Sequence, residues 1–402
     1  MTYHLLVEGE VFSAYRGGAV ARTIANIMRF DAPSVVVCGD WDDTWGYGRD
    51  RILVIPGLRA YVRIKGRRFL PPWITGPLLR RILQPLLLRI ARDDIVWCHA
   101  QPHFSAALER TLHLKGARLI HHCESLVTCY TNQTLGVVNR FKTSVAGYVN
   151  RSAFQRFAPD AYIFCSEALR QEALELFPWW KNTYTIHNGA DEALFYPLPT
   201  GTVKENAIFS ILYVGRLNPE KGIHVLMGAM KLLQERNVHA VCRVVGSSYA
   251  GGSRPTPYVR WLHKHHPSNV QFEGFYSGKD IAKTYRAADV FCCPSIYQEP
   301  FGNVNIEAMA CGIPVVATRV GGIPEIAAEG GVVLVEPDSA VALADALQKL
   351  IEDKDLREKV AAEGQSSFQK RFTWPAIFEK YQEVVKSLNH TDTETKGGIP
   401  AL

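Results

Sequence analysis

Several common features are missing from this chain, and each absence removes a class of protein. It nowhere holds the roughly 18 uninterrupted apolar residues that a membrane-spanning helix needs. The opening "MTYHLLVEGEVF" lacks the basic segment and sustained apolar stretch of a secretory signal. The nine cysteines form no C-x-x-C pair, and most sit in apolar runs such as "SVVVC", "DIVWC" and "AYIFC". They read as small buried hydrophobes in a reducing, cytoplasmic compartment, where the N-x-T sequons at Asn132 and Asn389 carry no glycan. With no glycine-rich P-loop and no G-x-G-x-x-G, a kinase or a dinucleotide-dependent dehydrogenase has no phosphate cradle of its usual form. Charge of one sign is scarce as well: the net charge of +6 is mild for 402 residues. Attraction to phosphate or to a membrane must then come from local clusters. A composition of 47% hydrophobic and 21% charged residues excludes disordered and fibrous chains.

What is present is alternation. Short apolar, β-branched runs, "YHLLVEG" (3–9), "SVVVCG" (34–39), "RILVIP" (51–56), "DIVWCHA" (94–100), "RLIHHC" (118–123), "AYIFCS" (161–166) and "YTIHNG" (184–189), are separated by helical patterns. Continuous apolar strands interleaved with helices predict a parallel sheet covered on both faces. At 196–207, "YPLPTGTVKENA" changes to Pro, Gly and charge and reads as a linker. The alternation restarts with "FSILYVG" (209–215) and continues through "HAVCRVVG", "VQFEGF", "DVFCCPS", "PVVAT" and "VVLVEP" (332–337). The expected fold is α/β, with two tandem Rossmann-like, doubly wound parallel-sheet domains, 1–200 and 201–372, facing across a cleft. A helix over 373–388 is expected to pack back on the first domain, and 389–402 to be a disordered tail.

The stretch "SIYQEPFGNVNIEAMACGIPVVAT" (295–318) sets Glu299 and Glu307 around Phe301-Gly302 just before a strand. It reads as a strand-loop-helix crossover with Asn303 as N-cap and glycine after Cys311 closing the helix. Backbone N–H groups at such a helix start make an anion site, and Gly302 lets the main chain approach it closely. Glu307 is placed to accept from a ribose diol and Glu299 from sugar hydroxyls; the bland alternative is an acid serving the helix dipole. In "YVGRLNPEKGIHVLMGAM", Arg216 and Lys221 project from a strand-to-helix turn at the same sheet edge. They are either solvated turn charges or partners for a departing diphosphate.

These motifs, "VGRLNPEKG", the segment from "EGFYSGKD" to "VVATRVGGIPEI", and "TIHNGADEALFYP", resemble glycosyltransferase family 4, retaining and metal-independent enzymes of the GT-B fold. The resemblance is dense from 209 to 337 and thin before 160. It implies a nucleotide-sugar-binding second domain and an acceptor-binding first domain. On the matching positions it implies Glu299 at the donor sugar, Glu307 at the ribose, and Arg216 and Lys221 at the phosphates. The main chain of Phe301, Gly302, Asn303 and Val304 would cradle sugar and phosphate, with Phe275 and Tyr276 at the base pocket. Gly17 and Gly18 in "AYRGGAVAR" match a loop that closes over the donor. A catalytic histidine falls in "LIHHCES", with His122 favoured over His121. The resemblance implies no metal and no cofactor beyond the nucleoside-diphosphate sugar, and "HHCE" lacks the separated ligand pairs of a structural zinc site. "DWDD" (40–43) reads as a polar turn, and "WLHKHHP" (261–267) as a solvated helix end.

From Arg59 to Arg92 the chain holds nine Lys or Arg and no acid, interleaved with Phe, Trp and Leu. Such a stretch suits an anionic bilayer surface on the inner face of the membrane, and with it a lipid-linked or envelope-glycan acceptor. Equally, its leucines can pack into the first domain while the arginines are solvated. No nucleic-acid motif accompanies the charge. Two other readings share these residues: a nucleotide-sugar epimerase, and a non-catalytic sugar-nucleotide-binding membrane adaptor.

Overall fold

The computed structural model describes residues 1–6, 12, 19–31, 34–58, 72–99, 102–125, 158–199, 208–248 and 255–395. Two compact units emerge, Met1–His187 with Ile377–Leu402, and Asn188–Ala376.

The apolar runs of the first unit become β1 (Thr2–Leu6), β2 (Ser34–Cys38), β3 (Ile52–Val54), β4 (Ile95–His99), β5 (Arg118–Cys123), β6 (Ala161–Phe164) and β7 (Thr183–Thr185). All pair in parallel in the order β3-β2-β1-β4-β5-β6-β7. Side-chain alternation splits each strand between two covered faces. Tyr3, Leu5, Val96, Cys98 and Leu119 pack in one cluster with Phe104, Leu108 and Leu112 of the Pro102–Leu114 helix. Leu79, Leu83 and Leu86 join the same cluster, so these three leucines of the basic stretch are spent on this core, while 59–71 of that stretch lie outside the described residues. Arg80, Arg81, Arg89 and Arg92 stay exposed, and Leu88 is 75% exposed. On the other face, the Ala19–Phe30 helix covers Leu6, Val36 and Cys38. The C-terminal helix, Trp374–Thr395, joins that side, with Phe378 stacked on Phe30 and Tyr381 edge-on to Trp97. It runs past 389, where a disordered tail was expected, because no glycine or proline interrupts it before Gly397; 396–402 lie outside the described residues. The eight described cysteines are buried and free, and Cys129 lies outside the described residues.

The second unit repeats the plan with β8 (Phe209–Val214), β9 (Ala240–Val245), β10 (Val270–Gly274), β11 (Val290–Cys293), β12 (Val315–Thr318) and β13 (Val332–Val335). These are also parallel, ordered β10-β9-β8-β11-β12-β13. The unit starts at Asn188, ahead of the expected 201. Hydrogen bonds from Ala190 N–H to the Phe372 carbonyl (3.1 Å) and from Arg286 to the Leu194 carbonyl (3.2 Å) tie that stretch to it.

Strand order reverses between β8 and β11, so the connections leaving these neighbours diverge and open a crevice at their carboxyl ends. Gly222 closes the turn after β8 at φ 68°, and a Cβ there would overlap the Pro294 carbonyl oxygen at the end of β11. Gly222→Ala is expected to destabilise the protein by about 3 kcal/mol through strain and backbone collision, read as a lowered urea midpoint; an unchanged midpoint would show that the two connections separate freely.

Candidate active site

The crevice of the second unit gathers Lys221 from the β8 connection and Glu299 from the β11 connection. Lys221 Nζ contacts Glu299 Oε2 at 2.7 Å, Oε1 at 2.9 Å and the Tyr297 hydroxyl at 3.1 Å, which occupies all three ammonium donors. Glu299 Oε1 also accepts from Tyr297 (2.9 Å) and Oε2 from Ser295 (2.9 Å), filling the four lone-pair sites of its carboxylate. Glu299 is 8% exposed. Burial alone would raise its pKa; the Lys221 charge and the hydrogen bonds from Lys221, Tyr297 and Ser295 outweigh it and hold the carboxyl below its ordinary value. A buried charge pair of this kind is stable only with its full set of hydrogen bonds. Ser295 and Tyr297 supply them and went unrecognised in the sequence, although each stands an even number of residues before Glu299 in the same loop.

The helix after this loop is Asn303–Ala310, and its N-cap is Gly302 at φ 99°, not Asn303. Gly302 takes the left-handed conformation that a side chain resists, and the Asn303 side chain instead accepts from Asn188 at 3.0 Å. Among the described residues no side chain caps the first turn, which leaves its positive end open to an anion. Asn305 is fully buried beside Gly302, and among the described residues neither polar atom of its side chain has a hydrogen-bond partner. That buried amide is a second residue the sequence reading missed. Buried polar groups of this kind ordinarily answer to water or ligand. Glu307 lies half-buried one turn along, its Oε2 accepting from the buried Tyr285 hydroxyl at 2.9 Å.

Around the same sheet edge, Arg216 is exposed after β8, and Phe275 and Tyr276 are exposed after β10 (46% and 36%). Phe301 is buried against Phe372, and Val304 is half-buried. Gly17 and Gly18 lie outside the described residues.

His122 sits in the first unit, with His121 beside it on the opposite face of β5, as alternation requires. His121 Nδ1 pairs with Ser105 of the Pro102–Leu114 helix at 2.8 Å. His122 Nδ1 pairs with His99 Nδ1 at 3.0 Å, and His99 Nε2 with His4 Nδ1 at 3.3 Å. None of the four rings is more than 2% exposed. Burial, reinforced for His99 and His121 by His122 and for His122 by His4, lowers their affinity for a proton. His121 and His122 fall to about 3, and His4 and His99 also lie below the ordinary value. Among the described residues, His99, His122 and Glu124 are the cluster with metal-ligating atoms within 4.8 Å of one another.

Two doubly wound parallel units in tandem are the architecture of the GT-B glycosyltransferases. Solved structures of this kind align along almost the whole chain. Anabaena Alr3699/HepE in complex with UDP-glucose covers 96% of this chain and 100% of its own, at 21% identity and a TM-score of 0.72. Sucrose-phosphate synthase (tll1590) from Thermosynechococcus elongatus covers 97% and 99%, at 23% identity and a TM-score of 0.75. Among curated sequences, alpha-maltose-1-phosphate synthase of Mycolicibacterium smegmatis is 28% identical over 273 residues, 61% of this chain and 67% of its own length. The chain spans 59% to 67% of the length of several such relatives. Two family models divide the chain, Glycosyltransferase Family 4 over residues 9–194 and Glycosyl transferases group 1 over 203–367. The chain belongs to this family of glycosyltransferases.

The buried histidines set a pH dependence. Folded, they stay neutral well below the ordinary 6.5; unfolded, they take up protons near it. The unfolded chain therefore binds more protons across that interval, so stability is full above about pH 6.5 and is lost as pH falls. Urea midpoints at pH 7.5, 6.5 and 5.5 are expected to decrease in that order, and equal midpoints would contradict neutral burial of these rings.

Proposed function

We propose that the second unit binds a nucleoside-diphosphate sugar and that the protein transfers the glycosyl group, with retention, to a hydroxyl of a lipid-linked or envelope glycan. The observation that carries this reading is the buried Lys221–Glu299 pair beside the uncapped start of the Asn303–Ala310 helix, both at the point where strand order reverses. Cleavage of the sugar–phosphate bond leaves negative charge on a diphosphate. Arg216, Lys221 and the first-turn N–H groups of the helix are preorganised to neutralise it, with no divalent ion required in this reading. Glu299 keeps Lys221 in place while one ammonium donor turns to phosphate. A sugar hydroxyl reaches Glu299 by replacing the Ser295 or Tyr297 hydroxyl, an exchange of like donors that leaves the carboxylate satisfied. Glu307 receives the ribose diol, Asn305 lends its buried amide to the phosphates, and Phe275 and Tyr276 stack the base. The complex of Alr3699/HepE with UDP-glucose supports a donor of this class. No carboxylate is assigned as nucleophile, and His122, enclosed among other histidines, has no part in these steps.

The acceptor reading rests on the exposed Arg80, Arg81, Arg89 and Arg92 with Leu88, a rim suited to anionic headgroups at about 1 kcal/mol per near-surface charge. No described helix is long and apolar enough to cross a membrane. Replacing Arg67, Arg68, Arg80 and Arg81 with Ser is expected to abolish sedimentation with anionic vesicles at low salt; unchanged sedimentation discards the membrane surface.

The decisive assay mixes the protein with a panel of nucleoside-diphosphate sugars and a lipid extract and follows released nucleoside diphosphate. Acceptor-dependent release is expected; sugar isomers formed without acceptor, or binding without turnover, would replace this reading with epimerisation or simple binding. Lys221→Ala is expected to lower kcat by about 10²–10³. Because the variant also leaves Glu299 buried without its partner, at a cost of about 3–5 kcal/mol, kcat is compared below its own unfolding midpoint. Turnover within a few-fold of the parent defeats the assignment.

A further inference from the structure

Glu307, read above as the ribose ligand, is aimed from a second helix as well as its own. The last torsion of a glutamate is broad, with no sharp well to turn the carboxylate plane one way. From the Gly278–Ala287 helix the Tyr285 hydroxyl donates to Glu307 Oε2 at 2.9 Å. Tyr285 is fully buried, its ring meeting Phe195 edge-on at 5.7 Å and Phe291 of β11 at 5.4 Å and a 47° tilt. Both of those rings are buried too. The hydroxyl has little room to follow the carboxylate, so the carboxylate must come to it. The next residue, Arg286, donates to the Leu194 carbonyl at 3.2 Å and lies over the Tyr196 ring at 4.5 Å, which pins this end of the helix.

A phenol carries one O–H and an ionised carboxylate only accepts, so the direction of the bond is fixed. Burial, and after it the Glu307 charge, push the Tyr285 hydroxyl well above its ordinary pKa, and it remains a donor. A bond committed to Oε2 sets the carboxylate plane about its last torsion. A vicinal diol makes a matching demand. Its two hydroxyls stand side by side, and one carboxylate accepts from both only when its plane is turned towards them.

We propose that Tyr285 is a positioning residue for the ribose. It holds the Glu307 carboxylate in the plane that receives the 2′- and 3′-hydroxyls, and so makes the second unit select a ribonucleotide over a deoxyribonucleotide donor. This inference rests on the ribose reading of Glu307. Tyr285 itself is enclosed and acts only through that carboxylate.

The full chain is titrated calorimetrically with UDP, GDP and ADP, and the diphosphate that binds best is compared with its 2′-deoxy counterpart. The wild-type chain is expected to favour the ribose form by at least about 10-fold, the effect of one hydrogen bond to a charged group. Tyr285→Phe keeps the ring and removes only the hydroxyl. It should lower that preference by about 2- to 12-fold, the cost of immobilising one rotamer-rich side chain on binding, and leave the affinity for the deoxy form unchanged. Glu307→Ala should abolish the preference, and adding Tyr285→Phe to it should change nothing more. All variants are compared below their own melting temperatures. If Tyr285→Phe keeps the full preference while Glu307→Ala loses it, Tyr285 has no positioning role and the ribose reading stands. Equal weakening of both forms by Tyr285→Phe would show a merely structural hydroxyl and likewise overturn the inference. Binding of none of the three diphosphates, or a preference that survives Glu307→Ala, removes the ribose reading and this inference with it.

Discussion

The second unit depends on keeping one buried carboxylate charged. Glu299 sits at the carboxyl edge of a sheet whose neighbouring β8 and β11 feed divergent connections, and a lone charge there would be expelled or neutralised. Lys221 cancels the charge, and the Ser295 and Tyr297 hydroxyls take up the remaining lone pairs. The turn that delivers Lys221 exists because Gly222 has no side chain to strike Pro294. The Gly322 N–H also donates to the Glu299 carbonyl at 2.8 Å, which fixes the main chain of the loop from the β12 side. Backbone, glycine and ion pair form one arrangement, and removing any part exposes the others to solvent or strain.

Both units fold by the same rule and use it differently. In each, parallel strands made of buried apolar runs reverse order once, between β1 and β4 in the first and between β8 and β11 in the second. In the second unit the loops beyond the strand ends carry the polar residues, where a large anionic substrate can approach. In the first, the polar residues lie within the strands: His4 on β1, His99 at the end of β4 and His122 on β5. There the three rings are buried and hydrogen-bond to one another in a row.

Much of this was legible because it is local. Short apolar runs between helical patterns read as covered strands, and the described residues form thirteen strands of three to six residues. Arg216, Lys221, Glu299 and Glu307 could be placed at one sheet edge because they lie in the connections that leave β8 and β11 or at the start of the helix that follows. The N-cap at Asn303 was misplaced by one residue: propensity favours asparagine, but the tight approach of the loop demands the positive φ that Gly302 supplies. The basic stretch was ambiguous for a similar reason. Its leucines match a membrane-facing helix as well as a core-facing one, and only the neighbouring Pro102–Leu114 helix, packed in the same cluster, decides that Leu79, Leu83 and Leu86 turn inward.

The sequence by itself determined the strand and helix pattern, the tandem α/β plan and the family, since each is written in periodicity and in short motifs whose parts are close in the chain. Tertiary structure alone decided that Lys221 and Glu299, 78 positions apart, saturate one another. It also decided that His4, His99 and His122 stand in a row, and that Asn305 is buried with an unanswered amide. Pairing across a sheet depends on register and strand order, and neither is visible until distant segments are laid side by side.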